Sequence, residues 1–271
     1  MMKTGNRMKE YSVFLKNTDR SKTAVVFTWD DNFERHLSLI APEFEKRGMR
    51  CTFFINPGHP AFEAGHLPVC RKLLERGHEI GSHSSLHENF TELTKDECLE
   101  QITGAIGTIR EKLGVYPSTF AFPYHAYDEE HLELVRQHHL ETRNTLSGSK
   151  WIGIETAIPL QSLRCAVDGA VAGGYPLVFA GHSAVISPAE IEDVSIDTGY
   201  EPILLDNLTG LLDYIRMLSD RAEVLTLEQA ALKAFVLDNA RPEGDAYVLS
   251  AEQTERLAAV GMDGEKINRL L

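Results

Sequence analysis

Short runs of nearly continuous apolar residues alternate along the chain with longer amphipathic stretches. Thr23–Trp29 reads as a buried strand, and Ser38–Arg47 as a helix with Pro42 in its first turn and Gly48 as its stop. Cys51–Ile55 predicts a second strand, ended by Asn56-Pro57-Gly58. A helix over Leu67–Arg76 follows, stopped by Gly77, and then a short strand over His78–Ser82. Thr94-Lys95-Asp96-Glu97 has the form of a capping box and opens a helix running to about Leu113, before Gly114. Ser118–Phe122 predicts a strand, Asp128–Gln137 a helix and Leu140–Thr145 another strand. Leu146–Gly174, rich in Gly and Ser, has too weak a period to assign. Strand, helix, strand and helix then follow at Pro176–Ala180, Leu204–Leu218, Glu223–Thr226 and Leu227–Phe235.

Repeated strand–helix alternation implies an α/β fold with a mostly parallel sheet or barrel and helices outside. Three segments follow from the pattern: an N-terminal lead-in (1–22), a main domain (23–237) and a C-terminal helical tail (238–271). The last boundary rests on the break at Arg241-Pro242-Glu243-Gly244. The tail's amphipathic part, Ser250–Leu271, suits packing on its own barrel, covering the site, or joining a second copy in a homo-oligomer.

Composition narrows the partners. A net charge of −13, with no basic stripe, argues against a nucleic-acid or anionic-membrane surface. The 43% apolar content is ample for a core, yet no run approaches the ~20 residues needed to span a bilayer. Met1 to Thr18 lacks the apolar stretch of a secretory signal, so the expected location is cytoplasmic. The four cysteines are widely spaced and never form CxxC, which favours reduced, mostly buried thiols over disulfides or a zinc knot.

In parallel sheets functional groups gather at the carboxyl ends of the strands. Asp30-Asp31, Ser82-His83, Pro123-Tyr124 and Gly181-His182 each fall just after a predicted strand. His83 and His87, spaced i, i+4, can turn both rings toward one cation on a helix or compact turn. With eleven histidines in the chain that spacing alone is weak evidence, but the abrupt strand-to-loop context strengthens it. Two adjacent carboxylates behind Val25-Val26-Phe27 are costly without a cation. A metal on one leaves the other free as a base.

The stretches Phe27-Thr28-Trp29-Asp30-Asp31, Gly77–His87, Phe120-Ala121-Phe122-Pro123-Tyr124 and Ala180-Gly181-His182 resemble, in order, the signature motifs of the polysaccharide deacetylase family, the NodB-homology carbohydrate esterases. Val224–Ala230 resembles its closing strand and helix. The resemblance covers Thr23 to Phe235 and makes 23–237 a NodB-like deacetylase domain. It implies a distorted (β/α) barrel, often with seven strands, a divalent metal (commonly Zn2+), and hydrolysis of an N-acetyl or related amide on a sugar or oligosaccharide. Carried over position by position, Asp31, His83 and His87 hold the metal and Asp30 is the general base. His182 is then the general acid, and the backbone near Tyr124, flanked by Pro123 and His125, serves the oxyanion or substrate.

Three departures stand out. The family's usual arginine at the start of the third motif, which braces the base, is Ala121. The glycine after the tyrosine is His125. The fourth motif is blurred, with Arg164, Asp168 or Trp151 as stand-ins; Trp151 suits a packed aromatic as well as a sugar platform, and Trp29 suits the core. Two further readings stay open: hydrolysis of a small non-sugar or cyclic amide, and a non-catalytic carbohydrate-binding relative. Retention of both Asp30 and His182 favours an enzyme, since binding alone needs neither base nor acid.

Overall fold

The computed structural model describes residues 11–13, 22–31, 33–155, 157–244 and 246–271, so most of the lead-in 1–22 lies outside the described residues. In chain order the elements begin with β1 (Tyr11–Val13), β2 (Thr23–Trp29), α1 (Ala41–Glu45), β3 (Thr52–Ile55), α2 (Leu67–Glu75) and β4 (Glu79–Ser82). Next come α3 (Lys95–Leu113), β5 (Thr119–Phe120), α4 (Glu129–Arg136), β6 (Glu141–Thr142), β7 (Lys150–Gly153) and α5 (Leu160–Gly173). The chain continues through β8 (Leu177–Gly181), β9 (Ala184–Val185), α6 (Ile191–Thr198), β10 (Ile203–Leu204), α7 (Leu205–Met217), β11 (Ala222–Leu225) and α8 (Leu227–Asn239). It closes with β12 (Arg241–Glu243), β13 (Ala246–Leu249), α9 (Ala251–Ala259) and α10 (Gly264–Leu270).

Seven parallel strands curl in the order β6-β5-β4-β3-β2-β8-β7, and β11 pairs with the first half of β2 as an eighth. Among the described residues β6 and β7 do not pair with each other, so the (β/α) barrel is open on that side. Residue parity along β2 assigns the two faces. Val25, Phe27 and Trp29 pack outward into the main core with Phe44, Phe179, Val167 and Leu211. Val26 faces the barrel interior with Phe54, Ala121 and Val178, closed below by Leu227 and Ala231 of α8. Each fully buried large apolar side chain contributes about 1.5–3 kcal/mol by leaving water. The same parity places Asp30 on the interior side.

Helix ends follow the sequence signals. Thr94 and Glu97 form the capping box of α3, and Gly114 ends it in a left-handed conformation (φ 72°). Two features were not legible. The unassigned segment 146–174 contains β7 and α5: β7 is an edge strand with a half-exposed pattern, so it lacks the apolar run of its buried neighbours. The Pro/Gly stretch at 241–244 is a hairpin, not a break. β12 and β13 pair antiparallel, and β13 pairs in turn with β1. Pro242 is tolerated because β12 is an edge strand. Val13, Leu232, Val236, Leu249, Leu257 and Ile267 form a second cluster beneath this small sheet. No described helix is long and apolar enough to cross a membrane.

Candidate active site

Backbone ladders extended by one residue deliver the site to the carboxyl ends of the central strands. The N–H of Asp30 donates to Gly181 O (3.0 Å), that of Asp31 to Phe54 O (3.2 Å) and that of His83 to Ile55 O (2.9 Å). Asp31 then turns through a left-handed conformation (φ 73°), which carries its side chain off the parity of β2 toward the histidines. His83 and His87 lie on a loop rather than a helix. Left-handed Ser84 (φ 66°) and His87 (φ 62°) bend it, and Ser84 Oγ accepts from the His87 N–H at 3.0 Å. Several non-glycine residues at positive φ in one place mark a backbone held for function. Two glycines permit the close packing underneath. A Cβ on Gly81 would lie 2.5 Å from Phe54 Cε1, and one on Gly181 would lie 3.0 Å from Trp29 Cζ3 and Ile154 Cγ1. Trp29 is fully buried, as expected of a core residue.

Ligand atoms of Asp31, His83 and His87 all lie within 4.8 Å of one another. Asp31 Oδ1 is 3.7 Å from His83 Nε2 and 3.4 Å from His87 Nε2. His83 Nδ1 sits 2.7 Å from the Ala121 carbonyl, which fixes the proton on Nδ1 and leaves the Nε2 lone pair facing the aspartates. His87 Nε2 is buried without a hydrogen-bond partner among the described residues. Burial and the neighbouring Asp30 charge push Asp31 up to about 7, against the pull of Arg143. Burial, outweighing the attraction of Asp30, holds His83 down at about 3 and also lowers His87, so both imidazoles are neutral and ready to ligate. An unpartnered imidazole nitrogen beside a carboxylate reluctant to ionise fits a divalent cation.

Asp30 is the other half of the site, and its partner was missed in the sequence. Arg143 Nη1 donates to Asp30 Oδ2 at 2.5 Å, and both side chains are only 2% exposed. Arg143 follows β6, its N–H bonds Phe120 O at 2.9 Å, and its guanidinium lies over the Phe54 ring at 5.6 Å. It therefore braces the carboxylate that the absent arginine at Ala121 would have braced. Burial pushes Asp30 upward, but Arg143, His83 and His182 outweigh it and hold the carboxyl well below the usual range. The available signal was an arginine within the predicted strand Leu140–Thr145, opposite a buried carboxylate that needed a cation.

His182 Nε2 lies 3.9 Å from Asp30 Oδ2 and 4.0 Å from Asp31 Oδ2. Its carbonyl accepts from His36 Nε2 at 2.8 Å, a buried histidine that the sequence reading did not single out. Burial holds His182 at about 4 despite the Asp30 charge. Pro123 is buried. Tyr124 (φ 57°) is 60% exposed and packs edge-on against His87, with ring centroids 4.6 Å apart. His125 meets Trp151 edge-on at 4.5 Å, and its Nδ1 contacts Asn144 Nδ2 at 3.3 Å. A cleft of about 690 Å³ opens over Asp31 and His87, lined also by Phe33, His59, His66, Tyr124 and Tyr200. The structure thus brings Asp30, Asp31, His83, His87 and His182 together, with Tyr124 at the rim. Asp168 and Arg164 face α7 instead: Asp168 accepts from Tyr214, and Arg164 donates to Gly210 O.

The site thus sets two carboxylates and three histidines at the carboxyl mouth of a parallel (β/α) barrel. Residues 17–142, just under half of the chain, match the polysaccharide deacetylase family model. The peptidoglycan-N-acetylglucosamine deacetylase PgdA of Listeria monocytogenes is 24% identical over 212 residues, 73% of this chain and 42% of that protein. The chain spans 40% and 42% of the length of the curated relatives it matches. Among solved structures, a family 4 acetyl xylan esterase from Clostridium thermocellum, in complex with a cobalt ion, superposes with TM-score 0.53 at 16% identity. That match covers 77% of this chain and 90% of that one. A mutant of BA3943, a CE4 family pseudoenzyme with restored enzymatic activity, gives TM-score 0.56 at 15% identity over 78% of this chain and 68% of that one. These structural likenesses are of fold.

Proposed function

We propose that the chain is a metal-dependent hydrolase that removes an acetyl or related acyl group from an amide nitrogen of a sugar or oligosaccharide. The observation that carries this reading is the division of labour at one mouth. Three ligand atoms converge around Asp31, while Asp30 stays outside that set, paired with Arg143 and within 3.9 Å of His182. Asp31, His83 and His87 hold the divalent ion, with zinc the expected metal for a site with two imidazoles and a carboxylate. When bound, such an ion lowers the pKa of water toward ~7 and polarises an acyl oxygen.

The remaining work falls to the chain. Asp30, kept ionised by Arg143, accepts the proton of the attacking water. His182 hands a proton to the departing nitrogen. Because burial keeps this imidazole neutral at rest, the proton reaches it during the cycle, and Asp30 Oδ2 is the neighbouring group that gains one. The backbone N–H at Tyr124 serves the oxyanion. Base and acid each contribute on the order of 10²–10⁴-fold.

Arg143 weighs against a purely binding relative, since a binder has no use for an ionised carboxylate held outside the ligand set. The cleft volume of about 690 Å³ suits a saccharide better than a small cyclic amide. Amine release from N-acetylglucosamine oligomers, with the zinc-loaded chain and after chelation, tests the proposal. Zinc-dependent release supports it. Full zinc occupancy with no turnover of any acyl substrate would favour the binder.

A further inference from the structure

A catalytic histidine is ordinarily aimed by a hydrogen bond that its second ring N–H donates, often to a carboxylate. No such bond reaches His182 among the described residues. The carboxylate oxygens nearest its Nε2 stand at 3.9 and 4.0 Å, and Asp168, one of the stand-ins for the fourth motif, accepts from Tyr214 instead. What meets the ring is Tyr200. The two rings lie face to face, with centroids 3.4 Å apart and planes 3° from parallel.

The chain between His182 and α7 is built to deliver that contact. β9 leaves directly after His182 and pairs in parallel with β10, so the excursion between them begins and ends beside the imidazole. Ile203 N–H closes its foot on Ser183 O at 3.0 Å. α6 ends at Gly199, whose left-handed conformation (φ 75°) turns the next residue, Tyr200, back over the site. Arg35 ties the start of the excursion to the barrel through Glu190 (3.1 Å) and Ala184 O (3.3 Å). With the His182 carbonyl held by His36 Nε2, backbone and ring plane are both fixed.

We propose that Tyr200 is the positioning residue of the general acid, its ring clamping the His182 imidazole so that Nε2 faces the leaving nitrogen. The inference rests on the reading of His182 as that acid. The stack uses only the ring, so Tyr200→Phe retains function and Tyr200→Ala loses it.

The leaving group provides the test. An amine must be protonated to depart, whereas 4-nitrophenolate leaves unaided. On zinc-loaded protein, Tyr200→Ala is expected to lower kcat on N-acetylglucosamine oligomers at least ~10-fold while leaving 4-nitrophenyl acetate turnover within about 2-fold. Tyr200→Phe should match the wild type on both. His182→Ala should show the same selective loss at ~10² or more, and the double variant should be no worse than His182→Ala. A readout independent of turnover is the His182 ring-proton shift in the metal-free protein. The upfield displacement caused by the tyrosine ring should persist in Tyr200→Phe and vanish in Tyr200→Ala.

Equal losses on both substrates, no loss on either, or a Tyr200→Phe variant as impaired as Tyr200→Ala would overturn the role of the stack. If His182→Ala lacks the selective loss, the acid assignment fails and takes the inference with it. If His182→Ala has that loss and Tyr200→Ala does not, only the inference fails.

Discussion

The two mouths of the barrel bury carboxylates in similar surroundings and finish them differently. At the amino-terminal mouth Glu79 is pushed up to about 7 by burial and then by the charge of Glu228, much as Asp31 is at the other end. There, however, every partner is in place. Glu79 Oε2 accepts from Thr52 Oγ1 (2.7 Å) and the Glu228 N–H (2.9 Å), and Oε1 accepts from Thr119. Glu228 is met by Ser118 and by Lys266 of α10. At the carboxyl mouth Asp30 Oδ1, His87 Nε2, Ser82 Oγ and Arg143 Nε are buried without hydrogen-bond partners among the described residues. A perturbed carboxylate with a complete shell is structural. One with an incomplete shell is waiting for something.

The contrast can be broken most directly at Asp30. Asp30→Asn removes the base but neither a ligand nor much volume, so turnover should fall ~10²–10⁴-fold with metal content unchanged. Metal analysis alongside amine release checks both halves, and a variant that keeps near-normal turnover would dismiss Asp30 as the base. Arg143→Met comes next. Breaking a buried pair by removing one partner costs about 3–5 kcal/mol, because the other charge is left uncompensated. Denaturant unfolding should register that loss, while Lys266→Met at the opposite mouth should lower stability without touching kcat. Equal kcat effects from the two variants would erase the distinction between the mouths.

Protons sharpen it further. Below about 7 Asp31 is protonated while His83, held at about 3, stays neutral, so a binding ion displaces the Asp31 proton. Zinc affinity should therefore weaken roughly tenfold per pH unit as pH falls from 7 to 5, measurable by competition with a chelating dye. A flat profile would contradict Asp31 as a ligand. The smallest expected effect is at Glu79. Its raised pKa means that its stabilising contribution is full below 4.5 and is lost as pH rises toward about 7. On zinc-loaded protein, Glu79→Gln should flatten the fall in Tm between pH 5 and pH 8 and leave turnover alone.

Strands β2, β3 and β8 were legible because each is buried on two faces and so reads as a nearly unbroken apolar run. β7 and β12 were hidden for the opposite reason, being edge strands with exposed residues and, in β12, a proline. At the site, adjacency and spacing announced Asp30-Asp31 and His83-x-x-x-His87. Arg143 and His36 could not be announced that way. Arg143 lies 113 positions from Asp30 and His36 lies 146 from His182, so each pairing exists only once the sheet has closed. The substitution at Ala121 shows the same limit. A motif search registers a lost arginine, whereas the folded chain restores the guanidinium from a neighbouring strand.

The small sheet that joins β1 to β13 places Tyr11 and the helix α10 on one pole. Tyr11 donates to Gly264 O at 2.6 Å, and α10 packs by Lys266 at the amino-terminal mouth, away from the cleft. A linker, tag or solid support attached after Leu271 would leave from the rear of the barrel. The molecule can therefore be tethered beyond α10 with its cleft turned away from the attachment.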